Sequence, residues 1–143
     1  MYEPNGDKKK NPIDNAVEFV NNTSDHTAEF TPEDVLQNKV IAAVCYIPFL
    51  FFLPLVVCPS SKFGRFHANQ SVSLFLCAAV VSLALGVVSL ITSFLAPVHF
   101  VVWIVQQLFG VAVLLFVILG AVNTTNGKAK ELPLVGKTKI ISY

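Results

Sequence analysis

Residues 61–71, SKFGRFHANQS, bring Arg65, His67, Asn69 and Gln70 close together between two long apolar runs. A histidine that titrates near neutral pH and two amides that both donate and accept could recognise a partner or substrate at the mouth of a membrane protein. No carboxylate lies nearby in sequence to orient His67. As a metal ligand it is alone, because His26 belongs to the N-terminal tail and His99 falls at the far end of an apolar run. The simpler reading, and the preferred one, is an interfacial anchor. On a helix Phe63, Phe66 and Gln70 share a face, with His67 beside them. The phenylalanines would sink below the headgroups while Lys62 and Arg65 reach up to lipid phosphates. Asn69 and Gln70 would then supply hydrogen bonds where the next helix begins.

Other chemistry is thinly provided. From Asp34 to Glu131 there is no carboxylate, hence no acid/base pair, no carboxylate metal ligand and no proton relay within that stretch. The serines of the second apolar run lack an adjacent base, His99 being several positions beyond Ser93. Cys45, Cys58 and Cys77 show no CxxC or Cys/His spacing and read as small buried hydrophobes. The expectation is a protein that is not an enzyme, takes no cofactor or metal, and binds no nucleic acid, its few bases belonging to membrane boundaries.

The elements that would position these residues are membrane elements. Of 143 residues, 54 % are hydrophobic and 13 % charged, against roughly a quarter charged in soluble chains. Eight of the nine acids lie in residues 1–38, and seven of the ten bases in residues 39–143. Between Arg65 and Lys128 no charged residue occurs, a pattern whose outer faces suit lipid better than water. Residues 1–30 read as a flexible, acidic, polar tail with one short amphipathic patch at residues 11–20. Residues 31–143 read as an all-α integral membrane domain of three transmembrane helices.

The first helix starts at Thr31-Pro32-Glu33-Asp34, an N-cap, a first-turn proline and two acids facing the helix dipole. It runs into a first span at residues 40–58, about 28 Å at roughly 1.5 Å per residue. Pro48 and Pro54 interrupt that span, making it either a kinked helix, which is preferred, or a re-entrant hairpin. A short interfacial helix, 61–70, leads to the second span, 71–96. There Ala78, Ser82 and Gly86 repeat the small-xxx-small spacing of a helix-packing face. The third span, 98–122, carries Trp103 near its start and Gln106 and Gln107 further in, where at least one amide needs a helix partner. A basic tail, 123–143, follows. Lysines and Arg65 flank the first loop and the last span, so those regions share the cytoplasmic side, and three spans put the N-terminal tail outside. The expected partners are the bilayer and, within it, a protein partner or a second copy.

The strings NKVIAAVCYIPFLFFLPL, SKFGRFHANQ and NGKAKELPLVGK resemble a family of small bacterial multi-span membrane proteins, distantly similar to the chloroplast inner-envelope protein-import component of about twenty kilodaltons. The resemblance covers residues 34–143. It implies a helical protein of the bacterial cytoplasmic membrane and a role in protein translocation or membrane biogenesis, as a channel or translocation component. Against that stands the accessory or scaffold subunit, which needs only helix–helix contacts and is preferred. The plastid proteins look like four-span proteins, whereas this chain has apolar material for three. Some bacterial relatives carry a zinc ribbon before the first span, which implies a cytoplasmic N-terminus, and this chain has no cysteine there.

Overall fold

A computed structural model describes residues 22–142, and the amphipathic patch at residues 11–20 lies outside them. The Thr31 signal holds. Helix α1, Pro32–Val44, starts with Thr31 Oγ1 accepting the Asp34 amide and with Pro32 in its first turn. It then stops in the middle of the first apolar run. From Cys45 to Leu53 the backbone makes three-residue turns instead (Cys45 to Ala42, Tyr46 to Ala43, Ile47 to Val44), because Pro48 has no N–H to continue the helix. Phe49 takes φ +69°, and a short helix α2, Leu53–Val57, follows with Pro54 in its first turn.

The segment 40–58 is therefore not one kinked helix, and the candidate spans number two among the described residues, not three. Helix α3, Lys62–Thr92, and helix α4, Ala96–Thr125, are the two long enough and apolar enough to cross a membrane. At 31 and 30 residues they are each about 45 Å long, more than the roughly 30 Å hydrocarbon core. The surplus is built into protein. Buried residues of α3 run from Phe63 to Leu74, and those of α4 from Gly120 to Thr124. The remaining stretches, 75–92 and 96–119, are the candidate membrane-spanning segments. Of the most apolar window in each helix, 6 % and 0 % is buried. A soluble core helix would show the reverse, so the surface of this antiparallel hairpin belongs to lipid. The turn at residues 93–95 carries no charge, and Phe100 stacks on Trp103 at that end with ring centroids 6.1 Å apart, as an interfacial aromatic belt requires.

The other end is a folded cap made of residues 22–61, the base of the hairpin and residues 126–142. Helix α4 ends in a Schellman turn: Lys128 N–H bonds the Asn123 carbonyl and Gly127 N–H the Thr124 carbonyl, both at 2.9 Å. Gly127 sits at φ +70°, with Val35 3.0 Å from where a Cβ would stand, so both backbone conformation and space favour glycine there. The turn sends the chain back along residues 22–30. Asp25 pairs with Lys130 in an antiparallel bridge, His26 N–H bonds Ala129, and Glu131 N–H bonds Ser24. The N-terminal segment is thus tied to the C-terminal one at the same end of the molecule. The expectation that these two segments lie at opposite ends is corrected by their direct pairing, with two candidate spans between them.

Candidate functional site

The stretch 61–70 is not a separate interfacial helix. Ser61 caps α3 by accepting the Gly64 amide at 2.9 Å, and residues 62–70 are the first turns of that helix. Phe63 and Phe66 do not face lipid. They are fully buried in a cluster with Phe30, Ala42 and Ala129, and Phe30 meets both rings edge-on at 5.8 and 5.6 Å between centroids. Only Lys62 is exposed, with Arg65 half-buried, free to meet phosphates as the anchor reading asked. The anchor assignment of Phe63, Phe66, His67, Asn69 and Gln70 gives way to a buried one. The physical reason is that the segments on either side fold back over this face.

His67 is at the centre of the cap, with no exposed surface. Its Nδ1 lies 3.0 Å from Thr124 Oγ1 and 3.2 Å from Tyr46 Oη, while Thr124 also donates to the Gly120 carbonyl at 2.7 Å. Nε2 is buried without a bond of good geometry, although the Lys128 carbonyl lies near enough to act on the ring. Edge-on phenylalanines 63 and 66 complete its surroundings at 4.6 and 5.1 Å. No carboxylate reaches it, and a lone buried charge is costly, so it serves as a neutral hydrogen-bonding group and not as the titrating switch its type permits.

Asn69 and Gln70 read main chain. Asn69 Oδ1 accepts the amides of Ile140 (2.6 Å) and Ile141 (2.8 Å), and its Nδ2 donates to Thr138 at 2.7 Å. Gln70 Oε1 accepts the Leu132 amide at 3.0 Å and its Nε2 donates to Gly136 at 3.2 Å. Five main-chain groups of an irregular tail are thereby satisfied inside the protein. Leu132 and Val135 pack beneath it with Cys45, Tyr46 and Leu74, against Phe116 and Val117.

Three acids and a histidine hold the outer layer. The Asp34 carboxylate joins α1 to the start of α3, accepting from Ser61 Oγ (2.5 Å), Phe63 N–H (3.0 Å) and Asn38 Nδ2 (2.8 Å). Partial burial raises its pKa, but those hydrogen bonds outweigh burial and leave it below the usual carboxylate value. His26 lies 2.7 Å from Glu29 and 3.1 Å from Glu131. The bond to Glu29, more than the partial burial opposing it, lifts its pKa above 6.5, with Glu131 adding to the rise.

The remaining expected residues are scattered. Ala78 is half-buried while Ser82 and Gly86 are exposed, and a Cβ on Gly86 would meet nothing within 4 Å. The small-residue stripe is not used inside this chain. Gln106 is half-buried and Gln107 exposed, so they do not line an enclosed path. Pro48 is exposed and Pro54 buried; Pro48 follows the end of α1 and Pro54 lies in the first turn of α2, so neither kinks a continuous helix. His99 Nδ1 lies 3.2 Å from the Ser89 carbonyl and 3.5 Å from its hydroxyl, whereas Ser93 donates to Leu90. Among the described residues no group of three or more His, Cys, Asp or Glu side chains could hold a metal ion. Sequence reasoning missed Tyr46, Gly120, Thr124 and Asp34. The available signal was that a tyrosine, a threonine and a histidine in apolar surroundings each need a partner.

These features define a class: an all-helical membrane protein with two candidate spans in a hairpin, whose buried polar cap sits at one end and carries both ends of the described chain. More particularly, the chain belongs to the magnetosome magnetite crystal formation protein family (MamF/MmsF), whose model matches residues 37–139. That range runs from α1 through the hairpin into the strapped tail and includes Tyr46, His67, Asn69, Gln70, Gly120 and Thr124. No curated protein and no solved structure matches the chain.

Proposed function

We propose that this protein is a non-enzymatic accessory subunit of the membrane in which its family's crystal formation takes place, working through helix–helix contacts within the bilayer. The cap lies in the cytoplasm, since Lys39, Lys62, Arg65 and the lysines after residue 127 all fall at its end while the hairpin turn carries no base. The observation that carries the reading is the open stripe on α3. Ser82 and Gly86 are exposed, and a Cβ on Gly86 would meet nothing within 4 Å, on a helix whose neighbour α4 offers the exposed amide of Gln107. Small residues permit a second helix to approach closely, and an amide in hydrocarbon needs one. A second copy fits this best. With no acid between Asp34 and Glu131, the hairpin supplies no carboxylate to a metal ion or mineral surface and acts instead by organising other proteins.

Cross-linking tests it. With the native cysteines replaced, Ser82→Cys in membranes is expected to give a covalent dimer under mild oxidation, and Gly86→Leu to abolish it. A protein that stays uncross-linked at Ser82 and migrates as a monomer in mild detergent would overturn the proposal.

A further inference from the structure

Among the described residues only two non-glycine residues have positive φ, Phe49 at 69° and Leu134 at 70°. Such backbone is strained for bulky side chains and persists where it has a use. Both side chains are large, apolar and almost wholly exposed, at 81 % and 93 %. Both loops also stand at the same level of the hairpin. Phe51, beside Phe49, meets Phe75 of α3 with ring centroids 6.5 Å apart. Leu132 and Val135, flanking Leu134, pack against Leu74, Phe116 and Val117. That is the level at which α3 becomes exposed and apolar, Leu76 being 53 % exposed. Further toward the turn at residues 93–95, α3 and α4 continue without either loop.

We infer that the cap is a wedge: Phe49 and Leu134 enter the cap-side leaflet beside the hairpin, and the protein therefore gathers on anionic bilayer that is convex on that side. The molecule is widest where the cap meets the lipid, because two helices and two apolar loops share that leaflet while two helices alone cross the other. Area inserted into one leaflet is accommodated by bending the bilayer toward it. The lipid is an anionic one because exposed Lys62, Lys128 and Lys137 lie at the same end of the chain's fold, and basic side chains at a membrane surface are drawn to anionic headgroups. With the cap in the cytoplasm, the favoured curvature encloses a compartment on the hairpin-turn side.

The inference rests on the two-span reading and is tested apart from it. Fluorescently labelled full-length protein is reconstituted into giant phosphatidylcholine vesicles containing phosphatidylglycerol, and a narrow tube is pulled from each. Protein with its cap outward is expected to be several-fold denser on the tube than on the flat vesicle, and protein with its cap inward to be depleted. Phe49→Gly with Leu134→Gly keeps the backbone that glycine accepts readily, so helicity stays and enrichment disappears. Equal density on tube and vesicle for the unmodified protein overturns the wedge, as does unchanged enrichment in the double variant. Cysteines at positions 24 and 142 labelled from one face show the two-span reading intact in either case; labelling from opposite faces sinks that reading itself.

Discussion

Replacing Gly120 by alanine is the sharpest test of the cap. A Cβ there would stand 2.3, 2.5 and 2.8 Å from three carbons of the Tyr46 ring, where carbon atoms in contact keep about 3.5 Å or more. The ring must therefore retreat by about 1 Å. It has little room to do so, being 1 % exposed and packed in the second hydrophobic cluster. Overpacking of this kind costs about 1–3 kcal/mol, and moving the ring breaks the 3.2 Å contact of its hydroxyl with His67, a further loss of roughly 1 kcal/mol. Alanine's better helix propensity returns about 1 kcal/mol. The net destabilisation is about 1–3 kcal/mol, so that the cap opens on the order of thirtyfold more often at the middle of the range. Cys45 reports it directly, being fully buried beside Tyr46. Its labelling by a small thiol reagent in detergent, with Cys58 and Cys77 replaced, is expected to accelerate by that factor. Gly110→Ala is the internal control, since nothing lies within 4 Å of its Cβ and labelling there stays unchanged or slows. If Gly120→Ala keeps Cys45 protected and its melting temperature at the wild-type value, the packing argument is wrong.

Four further outcomes follow from the same contacts. Asp34→Ala removes the acceptor of three hydrogen bonds, two of them joining α1 to the start of α3, and is expected to lower thermal stability by about 1–3 kcal/mol. Because the Asp34 pKa is depressed, its contribution is present above 3.8 and lost as pH falls through the lower folded value; acid titration of the wild type against Asp34→Ala shows whether the two curves converge there. His26 has the opposite sign. Its raised pKa means its bonds to Glu29 and Glu131 stabilise below 6.5 and weaken as pH rises through the folded value, so protease cleavage within residues 22–30 should increase with alkalinity in the wild type and be pH-independent in His26→Ala. Asn69→Ala breaks three bonds to the tail, and limited proteolysis is expected to remove residues beyond Gly136 while leaving the hairpin intact.

The polar cap gives the hairpin a fixed base. Buried amides and a neutral imidazole contribute modest net stability but strong geometric demands. Asn69 and Gln70 accept only a tail whose main-chain groups fall at the right places, and the tail in turn covers the face of α3 that apolar packing alone would leave open.

By itself the sequence determined the solvent and the main stops. The uncharged stretch from Arg65 to Lys128 demanded lipid, Thr31-Pro32 marked a helix start, and Pro48 and Pro54 marked interruptions of the first apolar run, all of them local effects of charge, capping and missing donors. What it left open was decided by contacts between residues far apart in the chain. Whether residues 40–58 cross the bilayer depended on Tyr46 finding His67 and Gly120. The fate of SKFGRFHANQS depended on the tail, more than sixty residues downstream of Asn69, returning to take up its amides. An aromatic and amide-rich helix start looks the same in sequence whether lipid or protein covers it, because both bury carbon equally well. Only the folded chain supplies the main-chain partners that make burial of Asn69 and Gln70 affordable, and so brings both ends of the described chain together in the cap, at one end of the hairpin.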